Sequence, residues 1–281
     1  MDVNLERPIE TGDFAPWSLS LWPPSSIRVV DWNIDRGLQL GAIVEFLGNA
    51  KTDLVILQEC DLNAKRTHRL NVARDIAKQL RMNYVFGCEF QELTQGSRAS
   101  PAYHGQATLS PWPLSNPRIL RFRRQSNFWR PRWFLPGMQP FQERIGGRIA
   151  LVSEISLAGR RLIVYNLHLE SRGDDNMRCS QLDESLSDSA GYDSQLPIIL
   201  AGDLNLDISH TTACPGLSAT DFRNAFSNQG SLTTPPKSLF DRGKAIDWIF
   251  VRGPILPTQP KVHSSARGSD HYPLSLTLAL V

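Results

Sequence analysis

Residues 197 to 207, Pro-Ile-Ile-Leu-Ala-Gly-Asp-Leu-Asn-Leu-Asp, end an apolar run with a carboxylate, Asp203, and a carboxamide, Asn205, one residue apart. If the strand period of two carries past Gly202, both side chains leave the same face. A carboxylate can then take the proton of a water while the amide donates to the oxygen that gains charge. The alternative is a turn in which Asp203 and Asn205 bond only their own backbone.

The same pattern recurs along the chain. Asn33 and Asp35 follow the run Ile27 to Trp32, Glu59 follows Leu54 to Leu57, and His168 follows Leu162 to Leu167. Asp247 lies within a further apolar run, and Asp270 and His271 precede the last one, Leu274 to Leu280. A single such residue is an ordinary loop side chain. Their repetition at strand ends points to one convergent acidic pocket with two histidines. Oxygen donors without clustered cysteines suit a hard cation, Mg²⁺ or Mn²⁺.

The elements that must position these residues alternate between strand and helix patterns. Leu38 to Leu47 and Thr67 to Leu80 have helical spacing, as does Asp174 to Ser187, and a short helical piece is expected at Asp221 to Phe226. Tyr84 to Phe86 and Ala107 to Leu109 read as short strands, Ala245 to Val251 as a strand carrying Asp247, and Arg148 to Ile155 with Arg161 to Leu167 as a hairpin around Ala158-Gly159. No linker divides the chain. Residues 1 to 24 read as an N-terminal extension and 25 to 281 as one domain.

With 41% hydrophobic and 21% charged residues the chain has an ordinary globular composition, and its net charge of +2 does not by itself point to a polyanion. It lacks a signal-peptide pattern and a run of about 20 apolar residues. Cys60, Cys88, Cys179 and Cys214 have no C-x-x-C spacing, which is expected of reduced thiols in a cytoplasmic protein.

Charge is concentrated in residues 118 to 148. Arg118, Arg121, Arg123, Arg124, Arg130, Arg132, Arg144 and Arg148 share this stretch with Phe128, Trp129, Trp133, Phe134 and a single acid, Glu143. Its prolines predict a loop or irregular hairpin. Arginines that meet phosphates and rings that stack on bases would make it a nucleic-acid surface, with Arg121, Arg123, Arg124, Arg130, Arg132, Arg148, Trp129 and Trp133 as contacts. Two other uses are open: the rings pack on the fold, or Trp129 and Trp133 enter a lipid headgroup region.

Trp32-Asn33-Ile34-Asp35, Leu57-Gln58-Glu59, Asn166-Leu167-His168-Leu169-Glu170-Ser171, Gly202-Asp203-Leu204-Asn205 and Ser269-Asp270-His271 resemble, in order, the motifs of the endonuclease/exonuclease/phosphatase superfamily. The resemblance implies an α/β four-layer sandwich of two mixed sheets with outer helices, and a Mg²⁺- or Mn²⁺-dependent phosphodiesterase. It implies Glu59 as main metal ligand with Asn33, Asp35 and Asp270 around it. Asp203 and Asn205 would then activate water, His271 with Asp247 behind it would face the phosphate, and His168 would do so from another side. His168 to Gly173 is similar to the tyrosyl-DNA phosphodiesterase 2 branch. Tyr103-His104-Gly105 is similar to the apurinic endonucleases, which implies a phosphate-facing Tyr103. The implied partner is nucleic acid, DNA before RNA, with phospholipid or small-molecule phosphoesters as the alternative within the superfamily. A non-catalytic module of this fold is the third reading, opposed by the intact set of polar residues. Nothing in the sequence points to a protein partner.

Overall fold

Runs such as Leu54 to Leu57 and Ile198 to Ala201 have no polar side, which suits strands covered on both faces. They form the centres of two mixed sheets in the computed structural model, which describes residues 9–16, 24–126, 128, 142–209, 214–226, 231–236, 238 and 241–281. The first sheet contains β1 (Ile9–Gly12), β2 (Ser26–Arg36), β3 (Leu54–Leu62), β4 (Asn83–Glu92), β5 (Ala102–Ser110), β7 (Arg144–Gly146), β13 (Ile255–Val262) and β14 (Leu274–Leu280). Its order is β1-β4-β5-β3-β2-β14-β13, with β7 also on β4. The second contains β6 (Leu114–Arg121), β8 (Ile149–Leu157), β9 (Arg160–His168), β10 (Ile198–Asp203), β11 (Arg223–Asn224) and β12 (Asp247–Arg252), in the order β11-β12-β10-β9-β8-β6.

Helices cover the outer faces. Helices α1 (Leu40–Asn49) and α2 (Val72–Leu80) press Ile43, Leu47, Val72, Ala73 and Ile76 onto Val30, Trp32, Val55 and Leu57. Asn71 caps α2 by accepting the Arg74 N–H at 3.0 Å. Helix α3 (Asp175–Ser189), capped by Asp174, packs Leu182 and Leu186 onto the outer side of the second sheet, and the short α4 (Pro215–Ser218) follows. Between the sheets, Ile27, Val29, Leu54 and Ile56 meet Val164, Ile199, Ala201, Ile249 and Val251. The result is the expected four-layer α/β sandwich. Among the described residues, no helix is long and apolar enough to cross a membrane.

The layer between the sheets changes character along its length. Past its aliphatic part come the fully buried Asp31, Gln58, Thr108, Ser153 and Asn166. Gln58 donates to Asp31 Oδ1 and to Asn166 Oδ1, both at 2.9 Å, and Asn166 donates across the sandwich to the Leu57 and Ala107 carbonyls at 3.0 Å. Beyond this amide bridge lie Asn33, Asp203 and His168.

Several expectations are corrected. Residues 118 to 121 continue β6 and 144 to 146 form β7, so only the middle of the Arg-rich stretch can be a loop; Trp129, Arg130, Arg132, Trp133 and Phe134 lie outside the described residues. Asp221 to Phe226 is not helical: the helix is four residues at Pro215–Ser218, and Arg223–Asn224 pair with β12. β13, with two prolines and little apolar pattern, was not anticipated. Part of the N-terminal extension belongs to the first sheet, since Ile9–Gly12 pair with β4. Cys179 and Cys214 are joined in a disulfide, while Cys60 and Cys88 are free and buried. Their separation of 35 residues carries no motif, and packing of α3 beside α4 brings them together. The thiols therefore give no ground for a cytoplasmic setting, because disulfides persist where the surroundings oxidise.

Candidate active site

β10 delivers Asp203 because Gly202 lets the backbone pass close to β9. Gly202 has φ +141°, and a Cβ there would come within 1.9 Å of the Leu167 carbonyl oxygen. The strand stops at Asp203, so the period of two does not reach Asn205, which turns out with φ +50°. The turn expected as the alternative is present, but it does not use all of the polar atoms. Asp203 Oδ1 accepts the Asn205 N–H at 2.8 Å, an Asx turn, while Oδ2 faces the site. Asn205 Nδ2 donates to the Leu169 carbonyl at 3.1 Å, which fixes the carboxamide beside Asp203.

Three side chains from three strands or loops surround Asp203 Oδ2. Asn33 Nδ2 donates to it at 3.1 Å, His168 Nε2 lies 3.6 Å away and His271 Nε2 lies 3.8 Å away. Behind His271, Nδ1 sits 2.9 and 3.0 Å from the two Asp247 oxygens. Burial works against a charged imidazole, but Asp247 and Asp203 outweigh it and raise His271 to about 10. Asp247 is itself pushed up, first by burial, with His271 opposing. The loop holding His271 is pinned twice: Trp32 Nε1 donates to the His271 carbonyl, and Ser269 Oγ donates to the Asn33 carbonyl while accepting the His271 N–H.

Glu59 and Asp35 were expected just past strand ends. Instead β2 and β3 continue to Arg36 and Leu62, and register shifts between Asn33 and Arg36 and between Leu57 and Cys60 turn both residues outward. Asp35, Arg36 and Glu59 have φ of 42°, 65° and 56°, a left-handed cluster that strains non-glycine backbone and concentrates at working sites. Arg36 bonds Asp35 and lies 3.7 Å from Glu59 Oε2; Asn33 Nδ2 is 3.5 Å from Glu59 Oε1. Burial pushes Glu59 up, yet His104 and the Arg36 and Arg148 guanidiniums hold it well below the usual carboxylate range. Asp35 is raised by burial and then, against Arg36, by Asp270 and Glu59.

These residues fit a divalent cation. Asn33, Asp35, Glu59 and Asp270 offer only oxygen donors, Glu59 is held ionised, and the repulsion among three carboxylates is of the kind that a bound cation relieves. Among the described residues, the carboxylates and imidazole that place ligand atoms within 4.8 Å of one another are a different set, Asp203, Asp247 and His271. In that trio both Asp247 oxygens already face His271 Nδ1, an arrangement suited to holding an imidazole beside Asp203.

Three expected site residues are placed elsewhere. Tyr103 is buried on the helix-covered face of β5 with Leu62 and Val72, because alternate residues of a strand face opposite ways. Its neighbour His104 faces inward in its place, with Nδ1 2.9 Å from Asp61 Oδ1, and Asp61 is gripped by Arg66 at 2.7 and 2.8 Å. Arg148 is buried beneath the site, not open to substrate: its Nη1 meets Glu89 Oε2 at 2.7 Å and His168 Nδ1 at 2.9 Å. Arg121 is likewise spent on the fold, donating to the Cys88, Glu89 and Gly147 carbonyls. Arg123 and Arg124 are exposed and line a cavity of about 900 Å³ between β6 and α3.

Glu89, His104, Asp61, Gln58 and Arg36 were not picked out from the sequence. Glu89 alone left a signal, as a carboxylate inside the apolar run Tyr84 to Phe90, where a charge must have a partner.

The model of the Endonuclease/Exonuclease/phosphatase family matches residues 32–271. No curated protein matches the chain. Among solved structures, an endonuclease/exonuclease/phosphatase from Beutenbergia cavernae is similar with a TM-score of 0.66 and 15% identity over 92% of this chain and 72% of that one. A family protein from Bacteroides vulgatus gives 0.65 and 15% over 92% and 100%. D. rerio TDP2 complexed with a single-strand DNA product gives 0.62 and 18% over 91% and 99%. At such identities the likeness is one of fold. The family match spans the strands and loops that carry Asn33, Glu59, His168, Asp203, Asp247 and His271, and the chain therefore belongs to the Endonuclease/Exonuclease/phosphatase family of phosphoester hydrolases.

Proposed function

We propose that this hydrolase cleaves phosphodiester bonds in nucleic acid, DNA in preference to RNA, with Mg²⁺ or Mn²⁺ held by Glu59, Asp35, Asn33 and Asp270. The observation that carries this reading is the surround of Asp203 Oδ2, where Asn33, His168 and His271 converge within 3.1 to 3.8 Å. Asp203 accepts the proton of the attacking water, and Asn205 at its side helps to orient that water. His271, kept cationic by Asp247, faces a non-bridging oxygen as charge builds there. When bound, the cation supplies Lewis-acid polarisation of the phosphate. Support for a DNA substrate comes from the fold's likeness to TDP2 in complex with a DNA product and from the exposed Arg123 and Arg124.

The test is hydrolysis by purified protein, with Mg²⁺ and with Mn²⁺, of abasic, 5′-tyrosyl and single-stranded DNA, RNA and phospholipid vesicles. Metal-dependent cleavage of a DNA substrate is the expected result. Cleavage of phospholipid alone moves the assignment to the lipid branch, and no cleavage of any substrate rejects it.

A further inference from the structure

The two histidines beside Asp203 are held by opposite chemistry. His271 Nδ1 faces a carboxylate, an acceptor. His168 Nδ1 faces Arg148 Nη1 at 2.9 Å, and a guanidinium nitrogen has only hydrogens to offer. Nη1 carries two of them, and its two partners account for both: Glu89 Oε2 at 2.7 Å and His168 Nδ1. Nη2 donates to Ser171 Oγ at 3.1 Å, so the guanidinium cannot readily turn away. Glu89 Oε1 lies 3.2 Å from Nδ1, the longer of the two contacts to that nitrogen, and is drawn to the Gln106 amide at 2.9 Å, with Gln106 locked by the Ile149 carbonyl and the Leu151 N–H. All of these side chains except Ser171 are buried, with no bulk water to rearrange them.

We infer that Arg148 is a positioning residue that fixes His168 as the neutral tautomer with its proton on Nε2. A lone pair on Nδ1 is the acceptor that Arg148 requires, and a second positive charge 2.9 Å from a guanidinium would be repelled in so dry a place. The Nε2–H then points toward the reaction centre at a distance from Asp203 Oδ2, 3.6 Å, too long to be a good hydrogen bond, so it is available to a phosphate oxygen. The assignment rests on reading this pocket as a phosphodiesterase site and divides the labour within it. His271 supplies charge, and His168 supplies a directed neutral hydrogen bond with no proton to lose.

The tautomer can be read without substrate or metal, by long-range ¹H–¹⁵N correlation of the histidine rings at pH 7, with His168 assigned by its loss in His168→Gln. A non-protonated Nδ1 and a protonated Nε2 are expected. A protonated Nδ1 in the wild-type protein overturns the inference, whatever substrate the enzyme proves to cleave. Arg148→Met should abolish that pattern and lower kcat at least tenfold with little change in KM, while Arg148→Lys, which keeps a cationic donor, should restore the tautomer and part of kcat. Should Arg148→Met fail to fold, the wild-type spectrum still decides. A wild-type tautomer retained in a folded Arg148→Met protein counts against Arg148 as its cause.

Discussion

Asn33 Nδ2 and Asp203 Oδ2 stand 3.1 Å apart and tie β2 of one sheet to β10 of the other at the mouth of the sandwich. Asn33 also lies 3.5 Å from Glu59, so one carboxamide links Asp203 to Glu59.

Glu59→Gln should leave the fold intact and remove most activity, because it deletes one charge from an oxygen-donor site without changing volume. Calorimetric titration with Mn²⁺ should show clearly weaker binding in the variant. Wild-type turnover at saturating Mg²⁺ would falsify the assignment of Glu59.

Asp203→Asn and His271→Ala should each lower kcat by orders of magnitude. The double variant should lose far less than the product of the two, since in the proposed reaction both groups, 3.8 Å apart, serve one phosphoryl-transfer step. Fully multiplicative losses in single-turnover rates would separate their roles.

Glu89 gives the chain a particular acid sensitivity. Burial opposes its ionisation, but the Arg148 guanidinium 2.7 Å from its Oε2 holds the carboxyl below its ordinary 4.5. A group with a depressed folded value stabilises above the unfolded one, so this contribution is complete above about pH 4.5 and fades as pH falls toward 2. Glu89→Gln should therefore destabilise the protein at pH 7 and progressively less below pH 4.5. Urea unfolding at pH 7, 4 and 3 checks it. An equal penalty at all three would show that the charge is not what matters.

The arginines of residues 118 to 148 should divide into two groups. Arg121→Ala should destabilise by about 1 to 3 kcal/mol, since it removes the guanidinium that donates to the Cys88 and Gly147 carbonyls at 3.1 and 2.8 Å. Arg123→Ala and Arg124→Ala should leave the melting temperature alone and make the log-log salt slope of single-strand binding shallower by about 0.7 for each phosphate that is no longer neutralised. An unchanged slope in the double variant would remove this face from the nucleic-acid path.

Tyr103→Phe should leave hydrolysis near wild type, whereas His104→Leu should reduce it, because His104 lies inward on Asp61 and helps to keep Glu59 ionised. Equal losses in steady-state assays would put Tyr103 back at the phosphate.

The resemblance of the motifs implied the sandwich, and the long apolar runs fit it, because a strand buried on both faces needs no turn or cap to be read. Asp203, His271 and Glu59 were legible for the same reason: each ends or interrupts such a run. What stayed hidden depends on geometry that spacing does not encode. One residue of register separates Tyr103 from His104, and two bulges carry β2 and β3 past their expected ends. Arg148 and Arg121 looked like surface charge because neighbouring arginines are exposed, and only Glu89, His168 and three backbone carbonyls reveal them as interior. β13 was invisible because Pro257 and Pro260 break the pattern that marks a strand.

Those two prolines do more than disguise β13. The larger sheet ends at β13 on one side and at β1 on the other. On the β13 side, Pro257, Pro260, Lys261 and a register shift between Thr258 and Lys261 leave a broken ladder that an incoming strand cannot follow. On the β1 side, four residues do the closing, anchored by Glu10, which accepts from the Tyr84 hydroxyl and from Asn71. That fastening is slight, and β4 beneath it is long and largely apolar. Because β7 covers only Phe90–Glu92, loss of Ile9–Gly12 would bare the Tyr84–Gly87 stretch of β4, the kind of unpaired edge along which strands of other copies add.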